Sequence, residues 1–159
     1  MKYKLTNEIK FIGILNLYRI KSLKSFGDVK EGELGGWIQS SKNLSQEDNC
    51  WVVGNAQVHG NAQVTGNAQV HGNAQVTDNA WVYGNAQVTD NAWVYGNAQV
   101  YGNAQVYGNA HVYGKSRVYN EAQVYDHARV FGNAQVYGKS RVYNEAQVYK
   151  RYLNRILTE

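Results

Sequence analysis

The sequence predicts an all-β protein, a single-stranded parallel β-helix that occupies residues 51–149. Valine recurs at every sixth position from Val52 to Val148, seventeen times without an insertion. A small residue, alanine or serine, stands four positions after each valine through Val142, and a Gly/Asn pair or a close relative lies between them. Short strands joined by corners every six residues are typical of a solenoid whose coils stack on one another.

Each part of the repeat has a physical role. Alanine and valine alternate with the residues between them, which is the periodicity of a strand, so both point to one side and fill a narrow core. The residue before each valine, usually Gln, and the residue after it, often Tyr, point outwards. Gly and Asn tolerate positive φ and therefore form the corners. Successive coils are expected to pair at ~4.8 Å, the usual strand spacing.

The V-x-G-N-A-x unit resembles the hexapeptide repeat of left-handed β-helix proteins. The resemblance implies triangular coils of about 18 residues, about five and a half of them over 51–149, and it alone implies the left hand, which the usual crossover rule does not favour. This chain departs from the family by placing Tyr, Thr or His after the valine, where Gly is frequent. The block TDNAWVYGNAQV occurs at 77–88 and again at 89–100, so a two-sided coil of 12 residues remains an alternative.

The segment before the repeat is predicted to be an N-terminal cap. Residues 1–50 break the hexad, and we interpret them as a β cap followed by irregular first coils. Strands are expected near residues 2–5 and 14–23, and Leu34 and Trp37 are expected to seal the core. Cys50, the single cysteine, cannot form an internal disulfide, and we predict a buried, unreactive thiol.

The segment after the repeat is predicted to be a short helix. Apolar side chains at Tyr149, Leu153, Ile156 and Leu157 have helical spacing. Because a β-helix exposes strand edges at its ends, residues 150–159 would form an amphipathic helix that covers the last coil.

Composition and charge limit the cellular setting. The chain has 16 Gly, 13 Tyr and no Pro, and no stretch approaches the ~18 apolar residues of a membrane span. The apolar run FIGILNLY is short and no small-residue cleavage site follows it, so we predict a soluble, cytoplasmic protein. The net charge is +4, and residues 111–159 hold eight Lys or Arg against four Asp or Glu. A nucleic-acid partner at this end is one interpretation, and a merely solvated end is the favoured one.

In an 18-residue coil the outward positions stack into columns that become aromatic towards the C-terminus. Stacked rings could support the strands, at roughly 0.2–1 kcal/mol for each pair, or they could form a contact surface for a partner. A neighbouring column holds Trp93, His111 and Arg129, where an aromatic–cation contact is expected. The candidate binding residues are Tyr107, Tyr113, Tyr119, Tyr125, Trp93, His111, Arg117, Arg129 and Arg141.

The resemblance raises an enzymatic alternative, a hexapeptide-repeat acyltransferase that uses acetyl-CoA. Such enzymes are usually trimers with a histidine base at a groove between subunits, often beside a loop that protrudes from a corner. Here no insertion interrupts 52–148, and the four histidines fill hexad positions that other copies fill with Tyr, Thr, Gln or Asn. We therefore predict no catalytic residue, no cofactor and no metal site.

The layout of the whole chain resembles that of phage and prophage proteins. The matching segments are LYRIKSL at 17–23, GELGGWI at 32–38 and NLS at 43–45, followed by the tandem hexads. We predict a non-enzymatic binding or scaffold protein that presents Tyr and Gln ladders and its cap to a protein or a small ligand, for example to inhibit a host defence. The resemblance suggests a homotrimer. A self-assembling structural β-helix is a further alternative, and ice binding through Thr65, Thr77 and Thr89 finds little support, since these residues fall in three columns.

Overall fold

The chain folds into a three-sided β-solenoid with a β-hairpin at its N-terminal end. The computed structural model describes residues 1–150 and two further strands, Tyr152–Leu153 and Ile156–Thr158. About six coils stack along the axis. Within the described residues the single helical element is a short 3-10 turn at Ser41–Asn43, and no helix there is long and apolar enough to cross a membrane.

Three parallel sheets form the faces of the solenoid. Face 1 consists of β3 (Leu34–Ile38), β5 (Gln57–Val58), β8 (Gln75–Val76), β11 (Trp93–Val94), β14 (His111–Val112), β17 (Arg129–Phe131) and β20 (Gln147–Tyr149). Face 2 consists of β4 (Trp51–Val52), β7 (Gln69–Val70), β10 (Gln87–Val88), β13 (Gln105–Val106), β16 (Gln123–Val124), β19 (Arg141–Tyr143) and β22 (Ile156–Thr158). Face 3 consists of β6 (Gln63–Val64), β9 (Trp81–Val82), β12 (Gln99–Val100), β15 (Arg117–Val118), β18 (Gln135–Val136) and β21 (Tyr152–Leu153).

The strand register decides the coil length. Val58 pairs with Val76 and Val94 with Val112, so equivalent residues lie 18 positions apart, and the 12-residue alternative is wrong. All seventeen repeat valines are fully buried, as are the alanines and the two serines that occupy the small position. Each coil donates backbone hydrogen bonds to the next, for example from Gln57 N to Ala74 O at 2.9 Å. The predicted core is thereby confirmed, whereas the left hand remains a prediction.

The corners are held by polar ladders. Gly102, with φ of +68°, is typical of the corner glycines, and Asp or Asn adopts the same conformation in several coils, as Asn120 does with φ of 59°. Corner asparagines bond from coil to coil, as between Asn61 Nδ2 and Asn79 Oδ1 at 3.0 Å. A corner Asp instead accepts the amide of the next coil, as Asp78 does from Gly96 N at 3.0 Å. These bonds satisfy polar groups that the sharp corners would otherwise leave unpaired.

The N-terminal cap is a long hairpin that extends face 1. Strand β1 (Tyr3–Ile12) pairs antiparallel with β2 (Leu15–Ser22), and β2 pairs antiparallel with β3. Strand β3 in turn pairs in parallel with β5, which joins the cap to the first coil. The expected β cap is present, with a first strand that is longer than the sequence indicated.

The residues that close the N-terminal end of the core differ from those predicted. Leu34 is 42% exposed, so it does not seal the core. Trp37 lies on the outer surface, where the Arg19 guanidinium is 5.5 Å from its ring centroid. The buried tryptophan is Trp51, which packs against Tyr3 with ring centroids 6.0 Å apart. Leu34 and Trp37 lie opposite Lys21 and Arg19 of β2, and the register shift between these pairs places both side chains on the side of β3 that faces away from the core.

Cys50 is fully buried beside this junction, as predicted. Lys2, also buried, brings its Nζ to 3.3 Å from Cys50 Sγ and donates to Cys50 O at 2.8 Å and Glu47 O at 3.0 Å. Burial raises the pKa of the Cys50 thiol, although the Lys2 ammonium opposes that shift. The ammonium thus satisfies carbonyls of the first coil that have no preceding coil to bond.

The C-terminal segment is not the helix predicted over 150–159. Where the structure describes this segment it forms β21 and β22, which pair in parallel with β18 and β19. Lys150 has φ of 47° and takes the corner position that glycine holds in other coils, so the solenoid continues. Leu153 lies in register with Val136 and is buried like a repeat valine. The apolar spacing that indicated a helix also fits a last, shortened coil.

Candidate binding site on face 2

Three aromatic ladders run along the solenoid, one on each face. The face 1 ladder is Tyr95, Tyr113, Phe131 and Tyr149; the face 2 ladder is Tyr107, Tyr125 and Tyr143; the face 3 ladder is Tyr83, Tyr101, Tyr119 and Tyr137. Ring planes are nearly parallel, as for Tyr107 and Tyr125, whose centroids are 4.8 Å apart with an interplanar angle of 1°. The predicted aromatic columns are confirmed.

Stacking leaves ring edges and hydroxyls exposed but covers ring faces. Each interior ring has one neighbour above and one below, as Tyr113 has Tyr95 at 4.8 Å and Phe131 at 5.2 Å. A free ring face can therefore occur only at the end of a ladder.

The ladder phenols are neutral at pH 7. Burial is the largest cause of a raised pKa at Tyr83, Tyr95, Tyr101, Tyr107 and Tyr125.

On faces 1 and 3 a tryptophan packs beside the first tyrosine of the ladder. Trp93 lies 5.3 Å from Tyr95 on face 1, and Trp81 lies 4.6 Å from Tyr83 on face 3. Trp81 Nε1 also donates to Thr65 Oγ1 at 3.2 Å, which places the indole over the threonine that precedes the ladder. In both cases the tryptophan stands two residues before the first tyrosine of the ladder.

Face 2 lacks this tryptophan. The residue two positions before Tyr107 is Gln105, and the preceding ladder position is the short side chain of Thr89. Among the described residues the Tyr107 ring stacks on Tyr125 alone. The N-terminal face of the Tyr107 ring is consequently open.

A cleft begins at this open ring and runs along face 2 to the cap. One cavity of about 210 Å³ is lined by His71, Gln87, Thr89, Gln105, Val106 and Tyr107. A second cavity of about 400 Å³ is lined by Gly27, Asp28, Val29, Asn49, Asn67, Gln69, His71 and Gln87. The two share His71 and Gln87, so we treat them as one site, the face 2 cleft. Its size falls in the ~300–1,000 Å³ range of small-ligand sites.

The cap fixes the far wall of the face 2 cleft. Phe26 and Val29 exchange backbone hydrogen bonds of 3.0 and 2.9 Å, which close the tight loop that carries Asp28. Asn49 lies beside this loop, and its carbonyl accepts from Gln69 Nε2 at 3.0 Å. The cleft is therefore bounded by hydrogen-bonded backbone at one end and by a stacked ring at the other.

The lining of the face 2 cleft is polar and nearly uncharged. Amide side chains from Asn and Gln dominate it, joined by an imidazole, hydroxyls and one carboxylate, Asp28. No Lys or Arg lines the described cleft. Such groups donate and accept hydrogen bonds with no preference for a charged ligand.

The structure divides the predicted site residues among the three faces. Tyr107, Tyr125 and Arg141 lie on face 2; Trp93, His111, Tyr113 and Arg129 lie on face 1; Arg117 and Tyr119 lie on face 3. Only Tyr107 lines the face 2 cleft. Because the three arginines occupy different faces, they do not form a common basic surface.

The predicted column of Trp93, His111 and Arg129 is present on face 1, while the aromatic–cation contact expected there stays a prediction. Trp93 and His111 lie with ring centroids 5.6 Å apart, and His111 pairs in register with Arg129 on the next strand. Burial, with the nearby Arg129 charge as a second cause, lowers the pKa of His111. Sequence reasoning missed the cleft residues His71, Gln87 and Gln105, although the missing tryptophan before Tyr107 is visible in the columns.

The lowered pKa values of two histidines predict that the folded protein loses stability in acid. Burial lowers the pKa of both His59 and His111 in the folded state, against about 6.5 in an unfolded chain. The folded state then binds fewer protons, so this contribution is complete above about pH 6.5 and is lost as the pH falls from there through the lower pKa of the folded state. Asp78 opposes the shift at His59, while Arg129 adds to that at His111.

Urea unfolding at about pH 8 and about pH 5.5 tests this expectation. The double variant His59→Thr/His111→Gln, built from residues that other coils place in these positions, should lose less stability in acid than the natural chain. As a control, Arg129→Gln should raise the pKa of His111 as followed by NMR. Equal acid sensitivity of the natural chain and the double variant would contradict the assignment.

The comparisons with known proteins agree with this architecture. The model of the YdcK beta solenoid repeat matches residues 56–72, 94–114, 104–120 and 122–138, which together are less than half of the chain. No curated protein matches the sequence. The chain is a β-solenoid repeat protein.

Proposed function

We propose that this β-solenoid is a non-enzymatic binding protein that presents its Tyr and Gln ladders and its N-terminal cap to a partner. The observation that carries the proposal is the face 2 cleft, where the open ring of Tyr107 faces a wall formed by the cap loop. The rigid coils hold both walls in place, so a ligand would meet a preformed surface, which lowers the entropic cost of binding.

The acyltransferase alternative is less well supported. A general base must be held within hydrogen-bond reach of the attacking group, usually by a third residue that orients it. His71, the histidine of the cleft, stands in a ladder position that Thr89 and Tyr107 fill in the next two coils. No carboxylate hydrogen-bonds to it among the residues described, and no loop is inserted between the strands of 51–149. No three metal-ligating side chains cluster in the described part of the chain.

The proposal extends to the setting in which the protein acts. The resemblance to phage and prophage proteins supports a viral origin, action in the host cytoplasm and a role against a host defence. The same resemblance supports a homotrimer. Purification of the untagged protein, with its mass measured by light scattering and its co-purifying molecules identified, tests these points together. A protein that purifies with no bound molecule and then binds acetyl-CoA on titration would favour the acyltransferase alternative instead.

Single substitutions separate contact from stacking. Tyr107→Thr removes one ring stack, whereas Tyr113→Thr and Tyr119→Thr each remove two. With roughly 0.2–1 kcal/mol for each pair, Tyr107→Thr should lower the melting temperature least. We nevertheless expect it to weaken retention of the co-purifying partner by about tenfold, equivalent to ~1.4 kcal/mol. Partner loss that follows the loss of melting temperature across the three variants would show that the ladders are purely structural.

A further inference from the structure

The proposed function leaves open what the face 2 cleft binds, and the inference drawn here rests on that function. We infer that the face 2 cleft binds a neutral oligosaccharide, with one sugar ring lying on the open face of Tyr107. Three features of the cleft carry this assignment: the geometry at the end of the ladder, the hydrogen-bonding groups of the lining, and the absence of cationic side chains from it.

The first feature is a vacant ring position. Tyrosines of one ladder stack about every 4.8 Å, as Tyr107 and Tyr125 do. At the coil before Tyr107 the ladder position holds Thr89, which leaves space for one ring above Tyr107. On face 3 the equivalent space is occupied by Trp81, which packs on Tyr83 and donates to Thr65 Oγ1 of the preceding coil. A pyranose presents a flat set of C–H groups, which an aromatic face accepts through dispersion and weak C–H contacts.

The second feature is the row of amides beside that ring. Gln69, Gln87 and Gln105 pair in register along face 2, so their amides repeat at the ~4.8 Å coil spacing. Sugar hydroxyls act as both donors and acceptors, and an amide offers both to them. His71 adds an imidazole beside Gln69, and Thr89 adds a hydroxyl beside Gln87 on the next coil. A chain of hydroxylated rings would therefore find partners at each coil.

The third feature is charge. Of the residues that the structure describes, no Lys or Arg lines the cleft, and Arg141 lies two coils beyond Tyr107 on the same face, outside the lining. A phosphorylated ligand would thus find no counter-charge, and the Asp28 carboxylate would repel it. A carboxylate does accept hydrogen bonds from sugar hydroxyls. Apolar side chains are too few for a lipid tail, since Val29 and Val106 alone supply aliphatic surface among the lining residues.

The length of the cleft indicates more than one sugar unit. It runs from the coil of Asn49 to the coil of Gln105, which is three inter-coil steps or roughly 14 Å at the usual strand spacing. One ring would stack on Tyr107, and further units would extend past Gln87 and Gln69 towards Asp28. The cap loop that carries Asp28 would then contact the far end of the saccharide.

A glycan array carrying neutral hexose and N-acetylhexosamine oligosaccharides, with sulfated and phosphorylated glycans beside them, tests the inference on the full chain. We expect binding to neutral oligosaccharides, followed by calorimetric titration of the best neutral trisaccharide. Gln105→Trp should weaken that binding by at least about tenfold, because it puts a tryptophan on face 2 in the position from which Trp81 reaches over the preceding coil on face 3. Tyr107→Thr should weaken it as much. Trp93→Gln, which removes the tryptophan beside Tyr95 on face 1, is the matched control and should leave the binding unchanged.

The outcomes separate this inference from the proposed function. Absence of neutral-glycan binding, or binding that Gln105→Trp leaves intact, overturns the saccharide assignment. If the co-purifying partner is then a protein still lost in Tyr107→Thr, the cleft remains a binding site and only the ligand class was wrong. If the Tyr107→Thr protein retains every partner of the natural chain, the proposed function fails as well. Unchanged melting of Gln105→Trp shows that its effect is local.

Discussion

Replacing Trp51 by alanine should cost about 3–5 kcal/mol, the usual loss for a fully buried tryptophan, and should detach the N-terminal cap from the solenoid. Trp51 is fully buried, and its ring meets Phe26 edge-on at 5.3 Å. A Cβ placed on Gly35 of β3 would lie 2.7 Å from Trp51 Cζ2, so this strand packs directly on the indole. Removal of the indole would therefore leave a cavity between the cap and the first coil.

Amide hydrogen exchange is the most direct measurement, because coils of a solenoid can unfold without their neighbours. In Trp51→Ala, protection should fall in residues 3–38 while the coils around Val100 keep theirs. Trp93→Ala is the matched control: it removes the same side chain from the same hexad position, but Trp93 is 38% exposed. Trp51→Phe should cost less than alanine, since it keeps an aromatic ring and the Trp51 indole N–H has no hydrogen-bond partner to lose among the described residues. Equal loss of protection in both alanine variants would contradict the role of Trp51.

Features that repeat could be predicted from the sequence. Each hexad supplies its own strand, core residues and corner, so the alternation of Ala and Val was enough to place the core. The columns of outward residues follow once 18 residues form a coil, and the Tyr ladders lie where those columns placed them. The repeat alone left a coil of 12 residues open because both lengths keep valine in the core, and inter-coil pairing decides between them.

Features that occur once could not be predicted in this way. The cap is held by contacts between residues far apart in sequence, such as Lys2 N to Gln46 Oε1 at 2.7 Å, and no periodicity reports them. The C-terminal apolar spacing fits a helix and a shortened coil equally well. The strand edges of β18 and β19 favour the coil, because β21 and β22 satisfy their backbone groups by pairing.

The face 2 cleft lies where the repeat changes. Thr89 gives way to Tyr107 in one column, without the tryptophan that accompanies the same change in the other two. That difference can be read from the columns, but it becomes a site only because the cap loop at Asp28 closes the same face. A uniform hexad array would offer identical positions along each face and no preferred place to bind.

Replacing a corner glycine by alanine is the second change for which we expect a large loss of stability. Two of these glycines separate the backbone strain from the steric contact with the next coil. Gly54 and Gly102 both have φ of +68°. A Cβ on Gly54 would meet nothing closer than Gly72 O at 3.6 Å, whereas a Cβ on Gly102 would lie 2.8 Å from Asn120 N in the next coil. Gly54→Ala should therefore cost only the left-handed backbone strain, roughly 1–2 kcal/mol. Gly102→Ala should add an overpacking cost of about 1–3 kcal/mol.

Urea unfolding of the two alanine variants measures the difference between their free energies of unfolding. A third variant, Gly102→Asp, tests whether a corner aspartate offsets the cost of a side chain at this position. At Asp90, in an equivalent corner, the carboxylate accepts the amide of Gly108 in the next coil at 3.1 Å. Gly102→Asp should form the same bond to the Asn120 amide, and Asp tolerates positive φ better than Ala, so it should cost less than Gly102→Ala. Equal losses of stability for Gly54→Ala and Gly102→Ala would mean that glycine is needed at these corners only because the backbone φ is positive. A larger loss at Gly102 would mean that they also set how closely one coil lies on the next, which is the distance at which the tyrosine rings stack.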